Sequence, residues 1–202
     1  MSERSERTTG TAEPSLVPER SGGPSDHEVV VDRAGLWDAE ALSDVAAATF
    51  PLACPPDLTD ESIESFIAEV LSDERFGDYL SDPQHVVLKA VSGSDIVGYA
   101  MLVAGDPADP EVAAVIDRRP ALEISKMYVM PGHHGSGVSA ALMDAAIEYA
   151  RGGGYSVVWL GVNQLNERAQ RFYAKHGFRR AGTKTFTVGD QLCHDFVMQL
   201  PL

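Results

Sequence analysis

Cysteine, basic residues and long apolar runs are all scarce in this chain. Its 202 residues include two cysteines, Cys54 and Cys193. Two isolated thiols give neither a disulfide framework nor metal-ligand spacing, so a reducing, cytoplasmic setting is the expectation. Lysine and arginine total 16 against 30 acidic residues, a formal net charge of -14. That balance disfavours nucleic acid and anionic membrane as partners and makes a small cationic ligand easier to attract. No apolar run reaches the length of a membrane span or a signal core. A Lys-Ser or Lys-Thr pair is missing after the glycine-rich stretch, which excludes a P-loop.

What is present centres on residues 122–139, LEISKMYVMPGHHGSGVS. Leu122, Ile124 and the run Met127, Tyr128, Val129 predict a strand, which Pro131 and Gly132 end. Gly135, Ser136 and Gly137 supply a backbone almost free of side-chain bulk. Val138, Ala141, Leu142, Ala145 and Tyr149 then recur at helical spacing. A strand, a glycine turn and a helix in that order can hold a diphosphate, because the first amides of a helix lack internal acceptors and lie at its positive end. Two other readings stand beside this one. Gly135, Gly137 and Ala140 fit the spacing G-x-G-x-x-A of a dinucleotide fold, but the next strand, Val157 to Val162, runs into Asn163 where an acidic residue would be wanted. The glycines can also be a plain turn.

Downstream, YSVVWLGVNQLNERAQRFYAKHGFRRAG from Tyr155 predicts a buried strand, a polar break and a short helix. Asn166 stands at its N-cap, Glu167 in its first turn and Gly177 where it stops. With these residues the chain resembles the GCN5-related N-acetyltransferase (GNAT) superfamily. Val129, Pro131 and the run His134, Gly135, Ser136, Gly137, Val138, Ser139 look like that superfamily's pyrophosphate loop. Asn166, Ala169, Phe172, Tyr173, Gly177 and Phe178 look like its last sequence block. The stretch from Trp159 to Phe178, the run Thr185 to Asp190 and the ending His194 to Met198 are similar to polyamine N-acetyltransferases of the PaiA type. The loop departs from the usual pattern in opening with His134 and closing with Ser139. A Trp-Glu pair usual in the PaiA-like block is replaced by Asn163 and Gln164.

The resemblance implies an α/β (α+β) GNAT fold: a mixed, mostly antiparallel twisted sheet of about six to seven strands with a central parallel pair, flanked by about four helices. Residues 28–202 would form this domain. Residues 1–27, rich in Ser, Glu, Arg, Pro and Gly, would form a disordered tail. Leu36 to Phe50 predicts a helix with Leu36, Ala41, Leu42, Val45, Ala46 and Phe50 on its buried stripe. Thr59 caps a second helix that buries Ile63, Phe66, Ile67, Val70 and Leu71. Around it lie Asp57, Asp60, Glu61, Glu64, Glu69, Asp73, Glu74, Asp78 and Asp82, either a site for a polycation or a solvated face. Val86 to Val91 and Ile96 to Val103 predict a hairpin, and Gly105 to Pro120 a long loop beside the acceptor entrance. Strands near Arg179 to Val188 and Leu192 to Leu200 form a closing hairpin through Gly189 and Asp190.

By the same resemblance the cosubstrate is acetyl-CoA, with no metal. The backbone of Met127, Tyr128 and Val129 would pair with the pantetheine arm, and one of these amides would hold the thioester carbonyl. His134, Gly135, Ser136, Gly137, Val138 and Ser139 would hold the diphosphate, and Asn166 would reach the pantetheine or serve as a plain N-cap. Transfer to an aliphatic amine, with an unperturbed pKa near ~10.4, needs proton removal. Glu123 is the first candidate base, with Asp195 in reserve and a water chain as the alternative. Tyr173 would stabilise or protonate the departing thiolate, whose pKa is near ~8.5, unless it is a packing aromatic beside Phe172. The expected reaction is direct transfer in a ternary complex to a small polyamine such as spermidine or spermine, by a monomer or homodimer. The rivals are transfer to a protein or peptide amine, a non-catalytic acyl-CoA sensor and, more distantly, a dinucleotide oxidoreductase.

Overall fold

A computed structural model describes residues 29–133, 135–188 and 191–202. The tail expected over residues 1–27, His134, and the turn at Gly189 and Asp190 lie outside them. Among the described residues, runs of β-branched and aliphatic residues form seven strands: β1 (Val29–Arg33), β2 (His85–Ser92), β3 (Asp95–Ala104), β4 (Ala121–Val129), β5 (Val157–Asn163), β6 (Arg179–Val188) and β7 (Gln191–Pro201). They make one sheet in the order β1-β2-β3-β4-β5-β7-β6. Neighbours are antiparallel except β4 and β5, which are parallel.

Among the described residues six helices cover the sheet: α1 (Ala39–Ala53), α2 (Asp60–Val70), α3 (Asp73–Ser81), α4 (Pro110–Ala113), α5 (Val138–Gly152) and α6 (Glu167–Lys175), with a 3-10 turn at Leu36–Asp38 before α1. On one face, Leu142, Met143, Ala146 and Ala150 of α5 pack against Leu102, Leu122, Ile124, Val158 and Leu160. On the other, Leu42, Val45 and Phe50 of α1 and Phe76 of α3 pack against Val87, Tyr99 and Met101. Each large side chain buried in this way contributes about 1.5–3 kcal/mol relative to exposure. Val112 and Ile116 add a small cluster against Ala121, Trp159 and Val197.

Three details differ from the sequence reading. Leu36 is 57% exposed and Ala41 is also exposed, because the 3-10 turn changes the phase; Leu42, Val45, Ala46 and Phe50 are buried as expected, joined by Thr49. The acidic stretch holds two helices rather than one. Leu71 leaves helical geometry, and the Ser72 hydroxyl accepts from the Arg75 amide to start α3. The buried face expected for α2 is half-buried, with Leu71 alone fully covered. Finally, residues 105–120 carry α4, started by the Asp109 carboxylate and by Pro110 at its first position.

Candidate active site

The sheet opens along its middle. β4 and β5 pair only from Ala121–Glu123 to Val157–Trp159, and beyond those three residues they separate. The β4 segment from Ile124 to Val129 therefore pairs with β3 alone, and its β5-facing edge offers unused amides and carbonyls. Met127, Tyr128 and Val129 lie on this free edge, where an extended amide chain can dock as an added strand does.

The open edge leads directly to the start of α5. The helices α2, α3, α4 and α6 each begin with a side-chain oxygen accepting from an early amide, and each has an acidic residue in its first turn. In contrast, α5 begins at Gly137, with φ of 86° and no side-chain cap, and its first turn contains no acid. The Ala141 amide is the first bonded back within the helix, to the Gly137 carbonyl, which leaves those of Val138, Ser139 and Ala140 before it. Gly132, Gly135 and Gly137 all have positive φ, and a Cβ on any of them would point into open space. These glycines are thus required by backbone conformation, and the space before α5 suits an anion.

Across the opening stands α6. The Asn166 side chain accepts from the Ala169 amide, so its oxygen serves as the N-cap. The Gln170 amide donates to the carbonyls of Asn163 and Gln164, which fixes α6 to the end of β5. The Tyr173 ring packs beside Phe172 and Phe178, and burial pushes its hydroxyl up to about 12. The phenol remains protonated at neutral pH and is able to donate. Tyr128, on β4, is raised by burial and then by the nearby Tyr173, Cys54 and Asp195. The structure therefore brings Tyr173 and Asp195, distant in sequence, to the same residue of the opened strand.

An irregularity in β4 decides what shares a face with Glu123. Leu102 is opposite Ile124, but Met101 is opposite Lys126, so Ser125 is an extra residue. Without this bulge Lys126 and Tyr128 would point away from Glu123; with it all three are on the α1/α3 face. Burial raises the Glu123 carboxyl above its ordinary value, while Lys184, Lys126 and His85 pull it back down. Asp195 is 9% exposed and also raised by burial, against the opposing pull of Lys184 and His194. Glu123 is the sequence-predicted base that this face places centrally. Asp195 lies two strands away, opposite Asn163 of β5.

Sequence reasoning missed Lys126, Lys184 and Gly161. A Cβ on Gly161 would lie 2.7 Å from Lys184 Cε and 3.1 Å from Asp195 Oδ2, so this glycine clears space for both side chains. An aligned pair of β6 and β7 around Lys184 and Asp195 was the available signal, but the bulge next to Glu123 leaves no mark in residue type. The acidic side chains of α2 and α3 face water. Asp57 instead lines a cleft of about 370 Å³ with Asn163, Gln164, Gln191 and His194. No group of three or more His, Cys, Asp or Glu residues suited to a metal occurs among the described residues. Among them, likewise, no helix is long and apolar enough to cross a membrane.

Comparisons with known proteins agree with this geometry. The family model of the acetyltransferase (GNAT) family matches residues 46–178. An uncharacterised N-acetyltransferase of Mycobacterium tuberculosis is 49% identical over 163 residues, covering 81% of this chain and 97% of that protein. Another from Lactobacillus delbrueckii is 27% identical, over 78% of this chain and 88% of its own length. In structure, the PaiA N-acetyltransferase of Thermoplasma acidophilum, in complex with coenzyme A, aligns with a TM-score of 0.69 and 20% identity, over 87% of this chain and 99% of the other. The opened sheet, the uncapped helix start and these matches have one explanation: the chain belongs to the acetyltransferase (GNAT) family and is an N-acetyltransferase that uses acetyl-CoA as its donor.

Proposed function

We propose that the protein transfers the acetyl group of acetyl-CoA directly to a primary amine bound on the Glu123 face of the sheet. The observation that carries this reading is the continuity of the free β4 edge with the uncapped start of α5. An extended pantetheine arm fits the edge at Met127, Tyr128 and Val129, and the diphosphate fits the amides following Gly135, Ser136 and Gly137. The Val138 and Ser139 amides belong to this set. Asn166, with its side-chain oxygen committed to the cap, has its amide nitrogen left for the pantetheine. The Glu123 carboxylate accepts the amine proton, directly or through water, and the uncharged amine attacks the thioester carbonyl. Collapse of the tetrahedral adduct breaks the carbon–sulfur bond as the nitrogen releases its second proton to water, and Tyr173 donates its proton to the departing sulfur and regains one from solvent. The acetyl group passes straight to the amine, so no acetylated enzyme forms.

The test is Tyr173→Phe, followed by CoA release with a thiol reagent. We expect turnover to fall about 100-fold, the range for loss of a proton donor, while acetyl-CoA affinity stays within twofold. Unchanged turnover would remove Tyr173 from the chemistry. A small polyamine acceptor draws support from the net charge of -14 and from Glu123, Asp195 and Asp57 around the groove and its neighbouring cleft. The lysines on the same face weigh against several ammonium groups binding there, and they narrow the acceptor further.

A further inference from the structure

Charges of both signs share the acceptor groove, and the cations are held in an unusual way. Lys126 Nζ lies 5.3 Å from the centre of the Tyr79 ring, with a 3.4 Å contact to the Ser125 hydroxyl. Lys184 Nζ lies 5.9 Å from each of the Trp159 and Phe186 rings. Neither ammonium comes within 4 Å of a carboxylate among the described residues, although Glu123 and Asp195 are both close enough to feel Lys184. Aromatic faces hold a cation without using its N–H donors, so apart from the one that Lys126 gives to Ser125 those donors remain available.

Beneath Lys184 lies the ring of Trp159. Trp159 is 4% exposed, and its indole N–H has no acceptor among the described residues. Trp159 is opposite Glu123 in the parallel register, and Lys184 sits over its ring. Half-buried ammonium groups with no carboxylate within 4 Å are a costly arrangement for an empty groove, and an anionic oxygen would satisfy them. Gly161 supports the same assignment, since a side chain there would displace the end of Lys184 from its present place.

We infer that the acceptor carries a carboxylate beside the amine it offers, and that Lys126 and Lys184 bind this carboxylate while Glu123 faces the amine. The inference rests on the acetyl-transfer reading above. It makes the acceptor an amino acid or a short peptide bearing its own carboxylate, and it disfavours a polyamine, whose ammonium groups would meet two like charges.

Matched acceptors test it with the full chain: lysine against 1,5-diaminopentane, phenylalanine against 2-phenylethylamine, and spermidine alone, each followed by CoA release. The carboxylate-bearing member of each pair should have a kcat/KM at least about tenfold higher, the scale of one charge-assisted hydrogen bond. In Lys184→Met and Lys126→Met that ratio should fall towards one through KM, with kcat changing less and acetyl-CoA affinity staying within twofold. Faster turnover of spermidine or the plain amines by the unaltered chain overturns the inference but leaves acetyl transfer standing. So does a preference that survives both substitutions. Tight acetyl-CoA binding without acetylation of any amine overturns the acetyl-transfer reading itself.

Discussion

Glu123 is held in a condition that suits a base and opposes folding. Burial raises its pKa, and the nearby cations only partly offset this. A carboxyl whose folded pKa exceeds its unfolded value binds its proton more tightly in the native state. Folding is therefore most favoured below the unfolded pKa, and that advantage is lost as pH rises through the folded value. Glu123→Gln should accordingly raise the melting temperature at pH 7 to 8, and the gain should vanish in scans run near pH 4. The same substitution should lower kcat about 100-fold and flatten the acidic limb of the pH–rate profile. A kcat within twofold of the parent would transfer the proton to water or to Asp195.

The start of α5 is the element whose proposed role rests on backbone geometry alone. Gly137, at φ of 86°, has nothing within 4 Å of the place a Cβ would occupy, so Gly137→Ala meets no clash and its cost is purely conformational. That cost is about 1–2 kcal/mol, and relief by flipping the peptide would misdirect the amides that follow. We expect Gly137→Ala to weaken acetyl-CoA binding by about tenfold in a calorimetric titration while leaving the acceptor KM nearly unchanged. This element was legible in the sequence because glycine at strained φ is an identity requirement. The Asn166 cap of α6 was legible for a similar reason, as was the Thr59 cap of α2. The bulge at Ser125 was not legible, because a bulge is a matter of register against Met101 and Leu102, which alternation within β4 does not reveal. Hence Glu123 was found and its neighbour Lys126 was missed. The division of the acidic stretch at Leu71 and Ser72 was missed although Ser72 followed by Asp73 and Glu74 is itself a helix-start signal.

The whole molecule bears a formal charge of -14, and its donor is itself strongly anionic. Long-range repulsion should slow their encounter at low ionic strength and be screened as the Debye length shortens from about 30 Å at 0.01 M to about 8 Å at 0.15 M. A kcat/KM for acetyl-CoA that rises severalfold over this interval is the expected result. A flat or falling dependence would mean that the local field at the α5 start dominates the global one. The parallel centre was legible at this scale from the crossover through α5, but the insertion of β7 between β5 and β6 was not. The extent of the opening was not, because strands separate where pairing stops, and residue type alone does not report missing pairs.

Only three aligned residues join β4 to β5, so the two halves of the sheet are linked by a narrow seam. The bare edge of β4 beyond that seam should exchange its outward amide hydrogens for deuterium quickly. Acetyl-CoA lying along it would slow the labelling of residues 124–129 far more than that of β2, and would couple the halves mechanically. The donor would then be a structural cross-tie before it is a reactant, and its departure as free CoA would loosen the sheet in the same step that ends the catalytic cycle.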